Sequence, residues 1–210
     1  MPSEGRGPVA GIVLAAGAST RLGRNKLFVE LQGESLLRRA VRQVSGAGLD
    51  PVVVVLGHEA ERAREELAGL HVVPVLNTEY MHGVNSSLRA GIMAASDAAA
   101  AVVMLADMPL VTTAMIATLV DRYRTSTAPL VISDYGGVNA PPMLYDRSLF
   151  DELLSMQGEG CGKQVVKRHR AEALSVVWPQ EALTDLDVPE DYDRVKALLE
   201  TREGMAGHAP

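Results

Sequence analysis

The sequence has one cysteine, Cys161, in 210 residues, so no intrachain disulfide can form. A reducing compartment suits such a chain. Aromatic residues are scarce, with one Trp, two Phe and five Tyr, so a core must be built from Val, Leu, Ala, Ile and Met. Positive charge is not in excess: 20 Lys and Arg face 26 Asp and Glu, a formal net charge of −6. That balance disfavours a polyanion-binding face, and with it a nucleic-acid-binding function. No stretch approaches the roughly 18 to 20 apolar residues of a membrane helix. Residues 1–8 contain Glu4 and Arg6 but no apolar run, so no secretory leader is expected there. The expectation is a cytoplasmic enzyme without nucleic-acid or membrane partners.

What is present alternates. Short apolar runs at 10–16 (AGIVLAA), 51–56 (PVVVVL), 72–76 and 101–106 (AVVMLA) end at turn residues or an acid and read as buried strands. Between and after them, helical spacing falls at 35–44, 59–67, 86–95 and 112–123, with Ser35 and Thr112 or Thr113 as N-caps. Further strands are expected at 129–133, 142–145 and 174–178. Further helices are expected at 148–156, 161–169 and 189–199, the last with Pro189 in its first turn. The alternation predicts a parallel or mixed sheet with helices on both faces. There is no internal repeat or long linker, so one α/β domain is expected over 1–210, with its core at about 9–200. The small, polar ends are expected to be flexible.

Sheets of this kind bind ligands beyond the carboxyl ends of their strands. The first such end carries Ala15, Ala16, Gly17, Ala18, Ser19, Thr20, Arg21, Leu22, Gly23, Arg24, Asn25 and Lys26. Small residues let a base or phosphate approach the backbone. Ser19 and Thr20 bring hydroxyls, and Arg21 and Lys26 bring fixed positive charge. Five residues separate Gly17 from Gly23, where a Walker loop needs four, and Ala18-Ser19 breaks a dinucleotide fingerprint. Asp107 follows a buried strand. On residue chemistry alone it either binds Mg²⁺ or caps the turn before Pro109.

Residues 14–26 (LAAGASTRLGRNK) resemble the signature L-A-(A/G)-G-x-S-x-R-(M/L)-G-x-x-K of MobA-like NTP transferases, including the molybdenum cofactor cytidylyltransferases and guanylyltransferases. Residues 77–91 (NTEYMHGVNSSLRAG), the D-M-P turn at 107–109 and 183–192 (LTDLDVPEDY) resemble later family segments, so the likeness spans about 9–199. It implies a Rossmann-like three-layer α/β/α sandwich with a mostly parallel mixed sheet, like that of nucleotide-diphospho-sugar transferases. It also implies Mg²⁺-dependent transfer of a nucleoside monophosphate to a phosphorylated acceptor, with loss of pyrophosphate. By this likeness Leu14, Ala15, Ala16, Gly17 and Ser19 meet the nucleotide, and Arg21 and Lys26 hold its triphosphate. Gly83, Ser86 and Ser87 line the base or ribose pocket, and Asp107 binds the metal. Asp187 or its neighbour Asp185 supplies a second carboxylate, Asp187 being favoured; capping of the last helix is the other role open to both. LAAG rather than LAGG points to CTP.

The acceptor side departs from the pattern. Residues 138–144 (VNAPPML) lack the family's Arg-His pair, and Lys163 stands where Arg is usual. Mo-molybdopterin is the expected acceptor and a molybdoenzyme the expected recipient. A sugar- or alcohol-phosphate acceptor, a non-catalytic nucleotide or cofactor carrier, and a dinucleotide-dependent oxidoreductase, against which the broken glycine fingerprint argues, are the alternatives. Lys163 and Lys167 share a helical face that is either a phosphate-binding face or a solvated one. His58 and His82 read as ordinary loop residues, and Cys161 as a packing residue.

Overall fold

In the computed structural model, residues 6–18, 25–156, 160, 162–184, 186 and 189–206 are described. The first strand, β1 (Val9–Ala15), is buried along its length and lies in the middle of the main sheet. It pairs in parallel with β4 (Val52–Leu56) on one side and β6 (Ala100–Leu105) on the other. Beyond β4 lies the edge strand β5 (Val73–Leu76), also parallel. Beyond β6 the sheet turns mixed. β9 (Met143–Asp146) runs antiparallel between β6 and β7 (Leu130–Tyr135), and β10 (Leu174–Trp178) closes that side parallel to β7. A short strand, β8 (Val138–Asn139), folds back on β7.

The two faces of each central strand fill two cores, as the alternation of side chains along a strand requires. Val9, Val13, Val52, Val54, Val102 and Met104 pack against α1 (Leu36–Gly46) and α4 (Thr113–Arg124) through Leu37, Val41, Ile116 and Leu119. Ala10, Ile12, Val53, Val55 and Val103 pack on the other side against α3 (Val84–Ala94), α5 (Phe150–Ser155) and α6 (Lys163–Arg168). Full burial of each Val, Leu, Ile or Met side chain among these contributes about 1.5–3 kcal/mol. The result is the three-layer sandwich with a mostly parallel mixed sheet. Gly91 brings α3 against β1: a Cβ there would meet Ile12 Cγ2 at 2.5 Å.

The caps read from the sequence are present. Ser35 Oγ accepts from Arg38 N at 3.2 Å, and Thr112 Oγ1 accepts from Met115 N at 3.2 Å. The charged helix expected at 59–67 is α2 (Ala60–Glu66). One element was not expected, a hairpin of β2 (Glu30–Leu31) and β3 (Glu34–Ser35). Its turn residues Gln32 and Gly33 both have positive φ, 55° and 77°, the geometry of a tight hairpin turn. The last helix, α7 (Pro189–Ala206), packs Val195 and Leu199 with Leu31 and Leu36 in a third small core.

The edge strand β5 exposes Val73 and Leu76. Asn77 N donates to the Leu56 carbonyl at 2.8 Å. The alternation of a parallel ladder then turns the backbone nitrogens of Pro74 and Leu76 outward, and Pro74 has no proton to offer there.

Candidate active site

The central strands stop together and leave a depression beyond their carboxyl ends. Ala106 N still donates to the Leu14 carbonyl at 3.1 Å, so the next residue, Asp107, leaves the sheet beside the end of β1. Its turn is held from α1. Arg39, 8% exposed, donates through Nε to the Pro109 carbonyl at 3.2 Å and through Nη1 to Gln32 Oε1 at 3.3 Å. The unexpected hairpin therefore helps to brace the D-M-P turn. Across the depression Asn25 Oδ1 accepts from Leu27 N at 3.2 Å and caps a short 3₁₀ turn at Lys26–Phe28. That turn places Lys26 Nζ 2.6 Å from Asp107 Oδ2, with both side chains mostly buried.

The segment 77–87 forms the facing wall. Asn77 Nδ2 donates to Ser86 Oγ at 2.9 Å and Ser87 Oγ at 3.0 Å, and its Oδ1 accepts from Glu79 N at 2.9 Å. Ser86 Oγ in turn donates to the carbonyl of Gly83 or Glu79, at 2.8 and 2.9 Å. Ser86 thus ties the loop together and does not line the cavity, whereas Gly83 and Ser87 do. Close packing fixes the third wall: a Cβ on Gly57 would lie 2.8 Å from both the Ala16 carbonyl oxygen and Tyr80 Cβ.

Two cavities result. One, of about 320 Å³, is lined by Leu14, Ala15, Ala16, Gly17, Lys26 and Asp107 with Leu27, Tyr80, Gly83, Val84, Ser87 and Leu105. The other, of about 750 Å³, is apolar on Val84, Leu105, Met108, Val138, Pro141 and Met143 and cationic on Lys163, Lys167 and Arg170. They share Val84, Leu105 and Asp107. The second cavity's loop is held from β7: Tyr135 Oη donates to the Pro141 carbonyl at 2.9 Å and Ser133 Oγ to that of Pro142 at 2.6 Å. Burial pushes the Tyr135 phenol upward, which keeps this donor protonated. Trp178 Nε1 donates to Ser133 Oγ at 2.9 Å, linking β10 to the same support.

The sequence-derived sites fall into three groups. Leu14, Ala15, Ala16, Gly17, Lys26, Gly83, Ser87 and Asp107 come together in the smaller cavity, while Ser86 faces its own loop. Ser19, Arg21, Asp185, Asp187 and Cys161 lie outside the described residues. His82 is exposed and lines neither cavity; His58 N donates to the Ala16 carbonyl at 3.2 Å, a backbone role. Sequence reading missed Arg39, Leu27, Tyr80, Val84 and Leu105. Tyr80 and Val84 lie within the 77–91 segment already singled out, so that segment was their signal. Arg39 had none, because an arginine on a helix usually faces solvent.

A model of the MobA-like NTP transferase domain matches residues 11–173. The chain belongs to the MobA-like NTP transferase family. Its relatives include the purine catabolism protein PucB of Bacillus subtilis, 29% identical over 90% of this chain and 96% of that protein. The nicotine blue oxidoreductase of Paenarthrobacter nicotinovorans is 30% identical over 90% and 94%. The 2-C-methyl-D-erythritol 4-phosphate cytidylyltransferase of Rhodococcus opacus is 38% identical over 58% and 54%. Other relatives are named probable molybdenum cofactor guanylyltransferases. Among solved structures, Rv0371c of Mycobacterium tuberculosis superposes with a TM-score of 0.81 at 25% identity, covering 92% of this chain and all of that one. Its manganese complex is also known. The fold is that of the nucleotide-diphospho-sugar transferases, and this MobA-like family includes nucleotidyltransferases whose nucleotide and acceptor vary.

The donor set of this MobA-like protein suits a hard divalent ion. Asp107 offers a carboxylate at the meeting point of the two cavities, and Mg²⁺ binds through one or two carboxylates plus substrate phosphates and water. Among the described residues no three or more His, Cys, Asp or Glu side chains gather into a metal cage. No helix among the described residues is long and apolar enough to cross a membrane.

Proposed function

We propose that the whole chain is one cytoplasmic, Mg²⁺-dependent nucleotidyltransferase domain that moves CMP from CTP onto the phosphate of Mo-molybdopterin and releases pyrophosphate. The observation that carries this reading is the junction at Asp107 of a small cavity walled by backbone and a larger cavity with cations. The smaller cavity takes the nucleotide. Ala15, Ala16 and Gly17 present backbone without bulky side chains, so base and ribose lie against the end of β1. Ala16, in place of a second glycine, narrows this floor and favours a pyrimidine over a purine. Lys26 exchanges its partner Asp107 for a phosphate oxygen, with Arg21 as the second cation. Asp107, joined by Asp187, holds the ion, and Ser87 and Gly83 face the ribose.

The larger cavity takes the acceptor. Its phosphate oxygen attacks the α-phosphorus, the bond from that phosphorus to the β-phosphate oxygen breaks, and pyrophosphate leaves with the electron pair. When bound, Mg²⁺ neutralises charge on the phosphate oxygens. The chain supplies position and fixed cations, which suffice for phosphoryl chemistry without a covalent enzyme intermediate. Passing the product to a molybdoenzyme completes the reading.

The test is pyrophosphate release from CTP, GTP, ATP and UTP with Mg²⁺, with and without Mo-molybdopterin. Release from CTP that requires the cofactor is the expected result. Release from GTP instead would replace the nucleotide in this reading. Tight CTP binding with no release across a panel of phosphorylated acceptors would overturn it in favour of a carrier.

A further inference from the structure

The three cations of the larger cavity are distributed in a particular way. Lys163 and Lys167 are one turn apart on one face of α6, Arg170 lies in the turn after the helix, and all three line the cavity. Lys163 and Lys167 stand about 6 Å apart along the helix axis, and Arg170 stands beyond the helix end. None of the three has an acidic partner among the described residues. One acid nearby is spent on Arg168 and His169: Glu152 Oε2 is 2.7 Å from His169 Nε2, and its Oε1 is 2.5 Å from Arg168 Nη1. The turn therefore sorts its charges, giving Arg168 and His169 to α5 and Lys163, Lys167 and Arg170 to the cavity. Asp107 is the sole carboxylate among the described residues lining it, and Lys26 already faces that group. Facing the cations is a wall of Leu105, Met108, Val138, Pro141 and Met143.

A phosphate monoester carries a charge of about −1.5 to −2 near neutral pH. Three cations on α6 and the turn after it are more positive charge than that one group requires. We propose that the acceptor is anionic at two separated points, a phosphate that is the attacking group and a second anionic group beyond an apolar body, and that Lys167 and Arg170 select for the second. This rests on the reading that the larger cavity takes the acceptor.

The experiment reads the cavity without any transfer. Naphthalene-2-sulfonate and naphthalene-2,6-disulfonate share one apolar body and differ by one permanent charge. Each is titrated into the full chain by calorimetry at low salt, with no nucleotide present. The expected result is binding of the disulfonate about tenfold tighter, the scale of one hydrogen bond to a charged group. That preference should vanish in the double variant Lys167→Gln/Arg170→Gln and shrink as salt rises. Arg168→Gln, on the other side of the same turn, should retain it. Equal affinity for the two probes, or a preference that survives the double variant, would overturn the proposal. A preference as expected in a protein that releases no pyrophosphate with any acceptor leaves this inference standing and removes the transferase reading. Pyrophosphate release without the preference does the reverse.

Discussion

The two cavities are built by opposite means. The smaller is walled by consecutive residues at the end of one strand and by a loop whose side chains bond to one another, so its shape is set by backbone. The larger is gathered from α3, β6, the 138–143 loop, α6 and Leu183, and its character comes from side chains. A backbone cavity can keep one chemistry across a family, whereas a side-chain cavity can change its occupant by a few substitutions. Relatives with differently named activities on one fold are what that division permits.

The comparison can be broken at its hinge first. Asp107→Asn removes the one charged residue common to both cavities, so pyrophosphate release should fall about 10²–10³-fold with either substrate saturating. Circular dichroism should be unchanged, and chelation of divalent ions should match the loss. The next effect is on one side only. Gly57→Ala would drive a methyl into the Ala16 carbonyl and Tyr80, costing about 1–3 kcal/mol by overpacking. It should raise KM for the nucleotide and leave that for the acceptor. Tyr135→Phe makes the mirror-image test. It removes the donor to the Pro141 carbonyl, costs about 1–2 kcal/mol, and should raise KM for the acceptor alone.

The smallest effect is expected at Glu152. Burial works against its charge, but the hydrogen bonds from His169 and Arg168 outweigh it, so its carboxyl sits below the ordinary 4.5. A depressed pKa means that its contribution is present above the ordinary value and lost as pH falls through the folded one. Glu152→Gln should lower Tm at pH 7 by the equivalent of less than about 1 kcal/mol, because the pair is partly exposed. The gap from wild type should close as pH falls below the ordinary 4.5 and through the depressed folded value, as thermal melts can check.

The same division governs what could be read from the sequence. Strand β1 and the D-M-P turn were legible because an apolar run that stops at glycine or an acid is a local signal. Ser35 and Thr112 were legible as caps for the same reason. The β2–β3 hairpin was not: two-residue strands have no period, and Gln32 in a left-handed turn carries no mark in the sequence. The larger cavity was half legible. Lys163 and Lys167 showed by helical spacing, but the wall of Leu105, Val138, Pro141 and Met143 joins residues that only the antiparallel insertion of β9 brings together. Ser86 was assigned to a pocket on motif likeness, yet its hydroxyl serves the loop, a distinction that spacing cannot make.

Pro74 has a consequence at crowded concentrations. An open strand edge carrying Val73 and Leu76 would recruit another chain's strand, and continued growth in that direction makes fibres. One missing proton at the centre of β5 interrupts any such ladder. Replacing Pro74 with Thr should preserve the fold yet shorten the lag before thioflavin-positive aggregates form on gentle heating.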